Sequence, residues 1–339
     1  MIHVFYIQSN FHVLVVEGII KHENIKSEDV YYITQRYVKH PKEGTLLFDE
    51  IGKGFGGRIS FFFKHRHLLR QLLSKNQVCA YFPFDYYFPL CNSYDKTVFY
   101  EEGLSSYACT SREGIAKRYL NSMLKLFMVL LFVPFASTNE RGFLIEACNT
   151  RIKPKKITRL FAFSSAAYKT VLSDKVEKVT VKPNAPKNRT SIADSNVLVL
   201  DRFSADGRPY ALDNYIDVLK ETFNKMNMAE KPLYVKLHPA DGNNDETKRT
   251  VSDILSGYVT DFSFYEGSLE DIALNDNNNT FIGSNSTVLF YAPVWGHSNK
   301  AVSFVRLLSE KDGDYKSFLI RWGGVEAFCR LLSNNVTCL

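Results

Sequence analysis

A chain of 339 residues is long for a single hydrophobic core, so length alone predicts two domains. Its 45% hydrophobic and 23% charged residues are ordinary for a globular protein, with a high aromatic share from 26 Phe and 19 Tyr. The six cysteines (Cys79, Cys91, Cys109, Cys148, Cys329 and Cys338) show no close pairing and no metal-ligand spacing, which argues for reduced thiols in a cytosol.

The net charge of +6 is unevenly spread: 28 Lys and Arg face 16 Asp and Glu up to residue 190, and 14 face 20 beyond it. A basic first part implies an anionic partner, either a membrane surface or an acidic substrate. Nucleic acid is set aside, because no helix-turn-helix, zinc-finger or RNP pattern accompanies the charge.

In chain order, "MIHVFYIQSN" reads as a first strand and lacks the basic start of a signal peptide. "FHVLVVEGIIKH" follows as a helix opened by Ser9 and Asn10, both good capping types. "DVYYITQ", "QVCAYFPF" and "KTVFYEEG" are further strands. A helix is expected from about Gly114 through the apolar run "MLKLFMVLLFVPFA", residues 123–136. That run carries Lys125 and Pro134 and falls short of the roughly 20 residues that span a bilayer. It reads either as a buried helix or as shallow membrane insertion beside the basic "AKRYLNSMLK".

"ITRLFAFS" returns to a strand, and "KPNAPKNRTSIADS", 182–195, is a linker with two prolines and no periodicity. A second alternating series follows: "NVLVLDRFS", the helix "LDNYIDVLKETFNKM", "LYVKLHP", a strand near "YVTDFSF", the short helix "SLEDIAL", "TFIGS", the helix "STVLFYAPV" and the strand-like "KAVSFVRLL". "YKSFLIRWGGVEAFCRLL" is expected as one closing helix. The alternation predicts an α/β fold of two Rossmann-like domains, residues 1–190 and 191–320. A helix within 321–339 is expected to pack back on the first domain, with ligands held in a cleft beyond the carboxyl ends of the strands.

Three stretches fall at such strand ends. In "VFYEEGLSSY", Glu101 and Glu102 are adjacent carboxylates whose repulsion favours a raised pKa, suited to a general base. The same residues fit an acidic turn closed by Gly103. In "PLYVKLHPADG", His238 ends a strand, Pro239 fixes the turn after it, and Lys236 shares the face of the imidazole. Such a ring can serve an anionic leaving group, or simply be satisfied by a neighbouring carbonyl. In "FIGSNSTVLFYAP", Ser286 and Thr287 open a helix where hydroxyls and free amides converge, as a phosphate site or as a capping turn.

The order Glu-Glu-Gly, Lys-x-His-Pro, Ser-Thr resembles the bacterial sialyltransferases of GT-B fold, which share a D/E-D/E-G, an HP and an S-S/T motif in that order. The nearest resemblance is to glycosyltransferase family 52, the lipooligosaccharide and capsule sialyltransferases, with family 80 more distant. It implies an inverting transfer of sialic acid from CMP-sialic acid to a terminal sugar of a bacterial surface glycan, with galactose and an α-2,3 linkage as the common form. By resemblance Glu102 is the general base with Glu101 beside it, and His238 is the general acid at the donor phosphate. Ser286 and Thr287 hold that phosphate, Lys236 and Pro239 belong to the same donor-binding turn, and Glu270 binds the cytidine ribose. Ser9 and Asn10 reach the sugar or cap their helix. Some family 52 members are thought to use an aspartate of the second domain as base, and Asp201 in "VLVLDRFS" is this chain's counterpart.

The resemblance further implies no metal cofactor, a lipid-linked glycan acceptor at the inner face of a bacterial inner membrane, and, as in other members, pairing into a homodimer. The rivals are a CDP-glycerol glycerophosphotransferase or a CMP-Kdo transferase of the same fold, and a non-catalytic glycan-binding protein. Four Asn-x-Ser/Thr sequons, at Asn188, Asn278, Asn285 and Asn335, are read as coincidental in a bacterial cytosol.

Overall fold

The computed structural model describes residues 1–34, 44–48, 74, 77–83, 95–107, 157–164, 167, 177–184, 192–204, 208–226, 230–239, 241–242, 244–295, 298–332 and 336–339. They form two compact units, Met1–Asn184 and Ala185–Leu339. The helix expected from Gly114 and the apolar run 123–136 lie outside the described residues. Among those described, no helix is long and apolar enough to cross a membrane.

The first unit is a parallel sheet ordered β3-β2-β1-β4-β5-β6-β7. Its strands are β1 (Ile2–Ile7), β2 (Val30–Thr34), β3 (Thr45–Phe48), β4 (Val78–Pro83), β5 (Lys96–Tyr100), β6 (Ile157–Ala162) and β7 (Glu177–Thr180). Central strands of a parallel sheet are covered on both faces and therefore read as continuous apolar runs. Accordingly Val4, Phe5, Tyr6 and Ile7 of β1 are all buried, as is the whole of β4. Phe5 stacks on Tyr81 at 4.2 Å and Tyr6 on Phe82 at 4.4 Å, so aromatic pairs lock β1 to β4 from both faces. Helix α1 (Asn10–His22) leaves β1 at Ser9, whose Oγ accepts the His12 amide at 3.3 Å. Ser9 thus acts as the helix cap.

The second unit is a parallel sheet ordered β10-β9-β8-β11-β12-β13. In chain order it runs β8 (Asn196–Val199), α2 (Leu212–Lys225), β9 (Leu233–Lys236), α3 (Asp245–Leu255), β10 (Phe262–Phe264), α4 (Leu269–Asn275), β11 (Thr280–Gly283), α5 (Thr287–Trp295), β12 (Lys300–Ser303), α6 (Val305–Lys311), α7 (Gly313–Phe318), α8 (Val325–Leu332) and β13 (Val336–Cys338). Tyr215, Val218, Leu219, Thr222 and Phe223 of α2 are buried at helical spacing. Both units are Rossmann-like, and the fold is of the GT-B type.

Three sequence expectations change here. "KAVSFVRLL" is a strand and then a helix, β12 and α6. The single closing helix is broken into α7, a 3₁₀ turn at Leu319–Trp322 and α8, because Gly323 and Gly324 take left-handed φ values of 88° and 90°. Residues 321–339 belong to the second unit, where they supply α8 and the edge strand β13 beside β12.

At the amino ends of the strands a carboxamide network takes up the backbone's hydrogen bonds. Asn279, fully buried, accepts the Ser195 amide at 3.0 Å and donates to the Ile192 carbonyl at 2.7 Å. Its own amide donates to Asn299 Oδ1 at 2.9 Å, and Asn299 Nδ2 donates to the Ala273 and Asp276 carbonyls. Asp276 accepts the Ile192 amide at 3.0 Å. These side chains satisfy the backbone where the chain enters β8, β11 and β12, so that pole can be dry.

At the opposite pole, β11 ends on Gly283. A Cβ there would lie 2.8 Å from the Val199 carbonyl oxygen of β8 and 3.3 Å from Leu289 Cδ1. Gly283→Ala is therefore expected to push β11 off β8 and destabilise the second unit by about 1–3 kcal/mol. Thermal melts by circular dichroism read this as a lower Tm, and an unchanged Tm would contradict the close approach.

Candidate active site

In the second unit the chain lays β9 and then β10 on one side of β8, and β11, β12 and β13 on the other. The connections reverse direction between β8 and β11, and open parallel sheets leave a ligand crevice at the carboxyl ends of such strands. Asp201 follows β8 there, and Ser284 follows β11. Ser284 Oγ donates to Asp201 Oδ2, and the Ser284 carbonyl accepts Ser303 Oγ at 2.5 Å. The Asp201 amide donates to the Tyr215 hydroxyl at 2.9 Å. Tyr215 is fully buried and stacks on Tyr210 at 4.7 Å, so this support is rigid. Burial pushes the Asp201 carboxyl up to about 6, and the Ser284 hydrogen bond pulls against that rise.

His238 lies two residues beyond β9 and is part-buried, followed by an exposed Pro239. Burial lowers its pKa, Asp241 opposes that shift, and Arg202 adds to it. Asp241, 1% exposed, accepts the Phe203 amide at 2.7 Å and the Ser204 amide at 3.1 Å. Its own amide donates to the His238 carbonyl at 2.8 Å. The turn after β9 is thus fastened to the loop after β8. Lys236 points elsewhere: Nζ donates to the Gly267 carbonyl at 2.7 Å and lies 5.7 Å from the centre of the Tyr265 ring. That bond steadies the turn leading to Ser268 and Glu270. Ser268 caps α4 and also donates to Glu270 Oε2 at 2.7 Å.

Ser286 and Thr287 stand at the start of α5, part-buried, and the Ser286 carbonyl accepts the Leu289 amide at 3.1 Å. First-turn amides have no partner within their helix and suit an anion. His238, Ser286, Thr287 and Glu270 therefore all issue from the carboxyl-end side of one sheet.

In the first unit the two glutamates separate. Glu101 is fully buried: its amide donates to the Phe161 carbonyl at 2.9 Å, and its carboxylate accepts the Phe163 amide at 2.9 Å. It extends the β5–β6 ladder. Glu102 is part-buried on a turn that Gly103 makes with a φ of 106°. The Glu102 amide donates to Ser106 Oγ at 2.9 Å, and the Ser106 amide donates to the Gly103 carbonyl at 3.0 Å. From α1, buried His12 hydrogen-bonds the Glu102 backbone and accepts the Gln8 amide at Nδ1 over 3.1 Å. Burial pushes its pKa down to about 3, so this ring is a neutral brace.

Sequence reasoning missed four of these residues: His12, Arg202, Asp241 and Ser284. Asp241 carried a signal, standing two residues after Pro239 in a turn already singled out. The others take their meaning from contacts remote in sequence.

Asp201 makes a testable contribution. Its folded pKa stands above the ordinary 3.8, so its protonated form favours the fold at low pH, and that advantage is lost as pH rises from about 4 through about 6. Asp201→Asn removes the titration. Between pH 4 and pH 7 the stability difference should move in the variant's favour by roughly 3 kcal/mol, as a shift of about two units implies. Denaturant titrations of both proteins at both pH values measure it, and parallel pH dependence would refute it.

Among solved structures, the chain is similar to S. aureus MnaA bound to UDP, at 12% identity over 99% of this chain and 92% of that one, with a TM-score of 0.50. It is also similar to the Methanocaldococcus jannaschii UDP-GlcNAc 2-epimerase with UDP-GlcNAc and UDP, at 13% identity over 98% and 94%, TM-score 0.50. The Photobacterium sp. JT-ISH-224 2,6-sialyltransferase with CMP and lactose aligns at 12% identity over 99% and 78%, TM-score 0.49. Likeness at this identity speaks for the fold alone. No curated protein matches the chain. The model of the alpha-2,8-polysialyltransferase family matches residues 66–305, well over half of the sequence, and the chain belongs to that family of glycosyltransferases.

Proposed function

We propose that the protein transfers sialic acid from CMP-sialic acid to a bacterial surface glycan, inverting the anomeric carbon. One observation carries this reading: the His238 turn, the Asp201 loop and the Ser286–Thr287 helix start gather at one end of the second sheet, in a chain of the polysialyltransferase family. The order of the Glu-Glu-Gly, His-Pro and Ser-Thr motifs supports kinship with family 52 in addition.

Breaking the bond between the sugar and the CMP phosphate builds positive charge on the anomeric carbon and negative charge on the leaving phosphate. Fixed donors at that phosphate are worth most, because they need no rearrangement as the charge develops. The Ser286 and Thr287 hydroxyls and the first amides of α5 supply them. Burial lowers the pKa of the free His238 ring, and the charge gathering on the phosphate draws it back toward the protonated form that donates to the leaving oxygen. Glu102 removes the proton of the attacking hydroxyl, and Glu270 receives the ribose. Glu101 and Lys236 support the fold around these groups. The leaving charge is met by protein donors, so the reading needs no divalent metal.

The family's description favours α-2,8 transfer onto a sialic acid end, as in a capsule polymer. The α-2,3 transfer onto galactose of a lipooligosaccharide, expected from the sequence, is the second reading. The excess of basic residues before 190 suits an acidic, lipid-linked acceptor at the inner face of the bacterial inner membrane.

Incubation with CMP-sialic acid, CDP-glycerol and CMP-Kdo, with CMP release measured, tests the donor. CMP-sialic acid should be the donor used, and His238→Ala and Glu102→Gln should each lower turnover by about 10²–10⁴-fold with the circular dichroism spectrum unchanged. Turnover of CDP-glycerol instead, or full activity in both variants, would sink the proposal. Acceptors ending in sialic acid and in galactose, offered side by side, decide the linkage.

A further inference from the structure

The His-Pro turn contains a buried carboxylate with no part in the proposed chemistry. Asp241 is 1% exposed, and its two carboxylate oxygens take the amides of Phe203 and Ser204 at 2.7 and 3.1 Å. Its amide holds the His238 carbonyl at 2.8 Å, and its carbonyl accepts the Asn244 amide at 3.0 Å, the residue that caps α3. Among the described residues the carboxylate is held by these two amides and by no ion pair. The opposite charge rides on the same clamp. Arg202 Nε donates to Ser204 Oγ at 2.8 Å, and the Arg202 carbonyl accepts the Tyr210 hydroxyl at 2.9 Å. Arg208 Nη1 binds the Phe203 carbonyl at 2.6 Å, so the segment 202–204 is held from both sides.

We infer that Asp241 is a positioning residue for the proposed general acid: its carboxylate clamps the loop after β8 to the turn that carries His238. The inference rests on the role proposed for His238. Among the described residues, Asp241 from its own turn and Arg202 from the loop after β8 act on that ring in opposite directions. A carboxylate held by two backbone amides keeps its place, which a surface glutamate would not.

The test is a titration of His238 by NMR in the full-length protein carrying ¹³C-labelled histidine, with His238→Ala used to assign the resonance. Asp241→Asn should lower the His238 pKa by about one unit, Asp241→Glu should restore it in part, and Arg202→Gln should raise it. In CMP-release assays the alkaline limb of the kcat profile should move with the same signs, and at neutral pH Asp241→Asn should turn over about tenfold more slowly. A folded Asp241→Asn protein with an unshifted His238 makes Asp241 purely structural and overturns the inference. If that variant does not fold, Arg202→Gln decides: a raised His238 pKa supports the opposed pair, and an unmoved or lowered one overturns it. Absence of CMP release from the unmodified protein would count against the sialyltransfer reading alone, because the titration does not depend on turnover.

Discussion

The seam between β8 and β11 carries the second unit. Where Gly283 meets Val199 there is no room for a side chain, and one residue farther on Ser284 donates to Asp201 across the same pair of strands. Backbones brought this close fix the relative height of the two loops that follow, one opening α5 and the other running through Arg202 to Ser204. Because the chain reverses at this seam, the two loops emerge where open parallel sheets generally hold their ligands. A hydroxyl, a carboxylate and a missing Cβ thus set the starting point from which the loops at the carboxyl ends of the second sheet are placed.

From that seam the order passes outward through single polar contacts. Asp241 ties the loop after β8 to the turn after β9, and Lys236 ties β9 to the carbonyl of Gly267 beyond β10. Each contact joins neighbouring strands at their carboxyl ends, so His238 and Glu270 are located by a chain of fixed points rather than by their own packing. The first unit follows the same logic on a smaller scale. His12 from α1 braces the backbone of Glu102, while Glu101 is absorbed into the ladder beside it. Of two identical neighbouring side chains, one is drawn fully into the fold and the other stands part-buried on the turn that Gly103 makes.

Much of this was legible in the sequence, for reasons tied to particular residues. Continuous apolar runs such as "VFYI" and "NVLV" announce buried parallel strands, and polar residues directly behind them announce loops at the functional pole. His238, Ser286 and Thr287 were readable because they end a strand or open a helix. The edge strands β7 and β13, "EKVT" and "VTC", lack the continuous apolar run of a strand as short as β8, and β13 is recruited through its pairing with β12. The structural commitments of Glu101 and Lys236 were hidden because their partners, Phe163 and Gly267, lie far along the chain. The break in the closing helix was written in Gly323 and Gly324, and the apolar periodicity on either side outweighed it.

Asn279 illustrates how a surface motif and a buried network can share a boundary. By sequence it is the middle residue of an Asn-Asn-Thr triplet headed by Asn278, which a eukaryotic oligosaccharyltransferase would accept. In the fold the Asn279 carboxamide is fully buried and spends its hydrogen bonds on Ser195 and Ile192. The exposed Asn278 beside it donates Nδ2 to Asp194 Oδ1 at 2.6 Å. Production through a secretory pathway would expose this triplet to modification while the chain is still extended. A glycan on Asn278 Nδ2 would displace the Asp194 contact at the rim of that buried network. Cytosolic expression avoids the modification, because it offers the nascent chain no such enzyme.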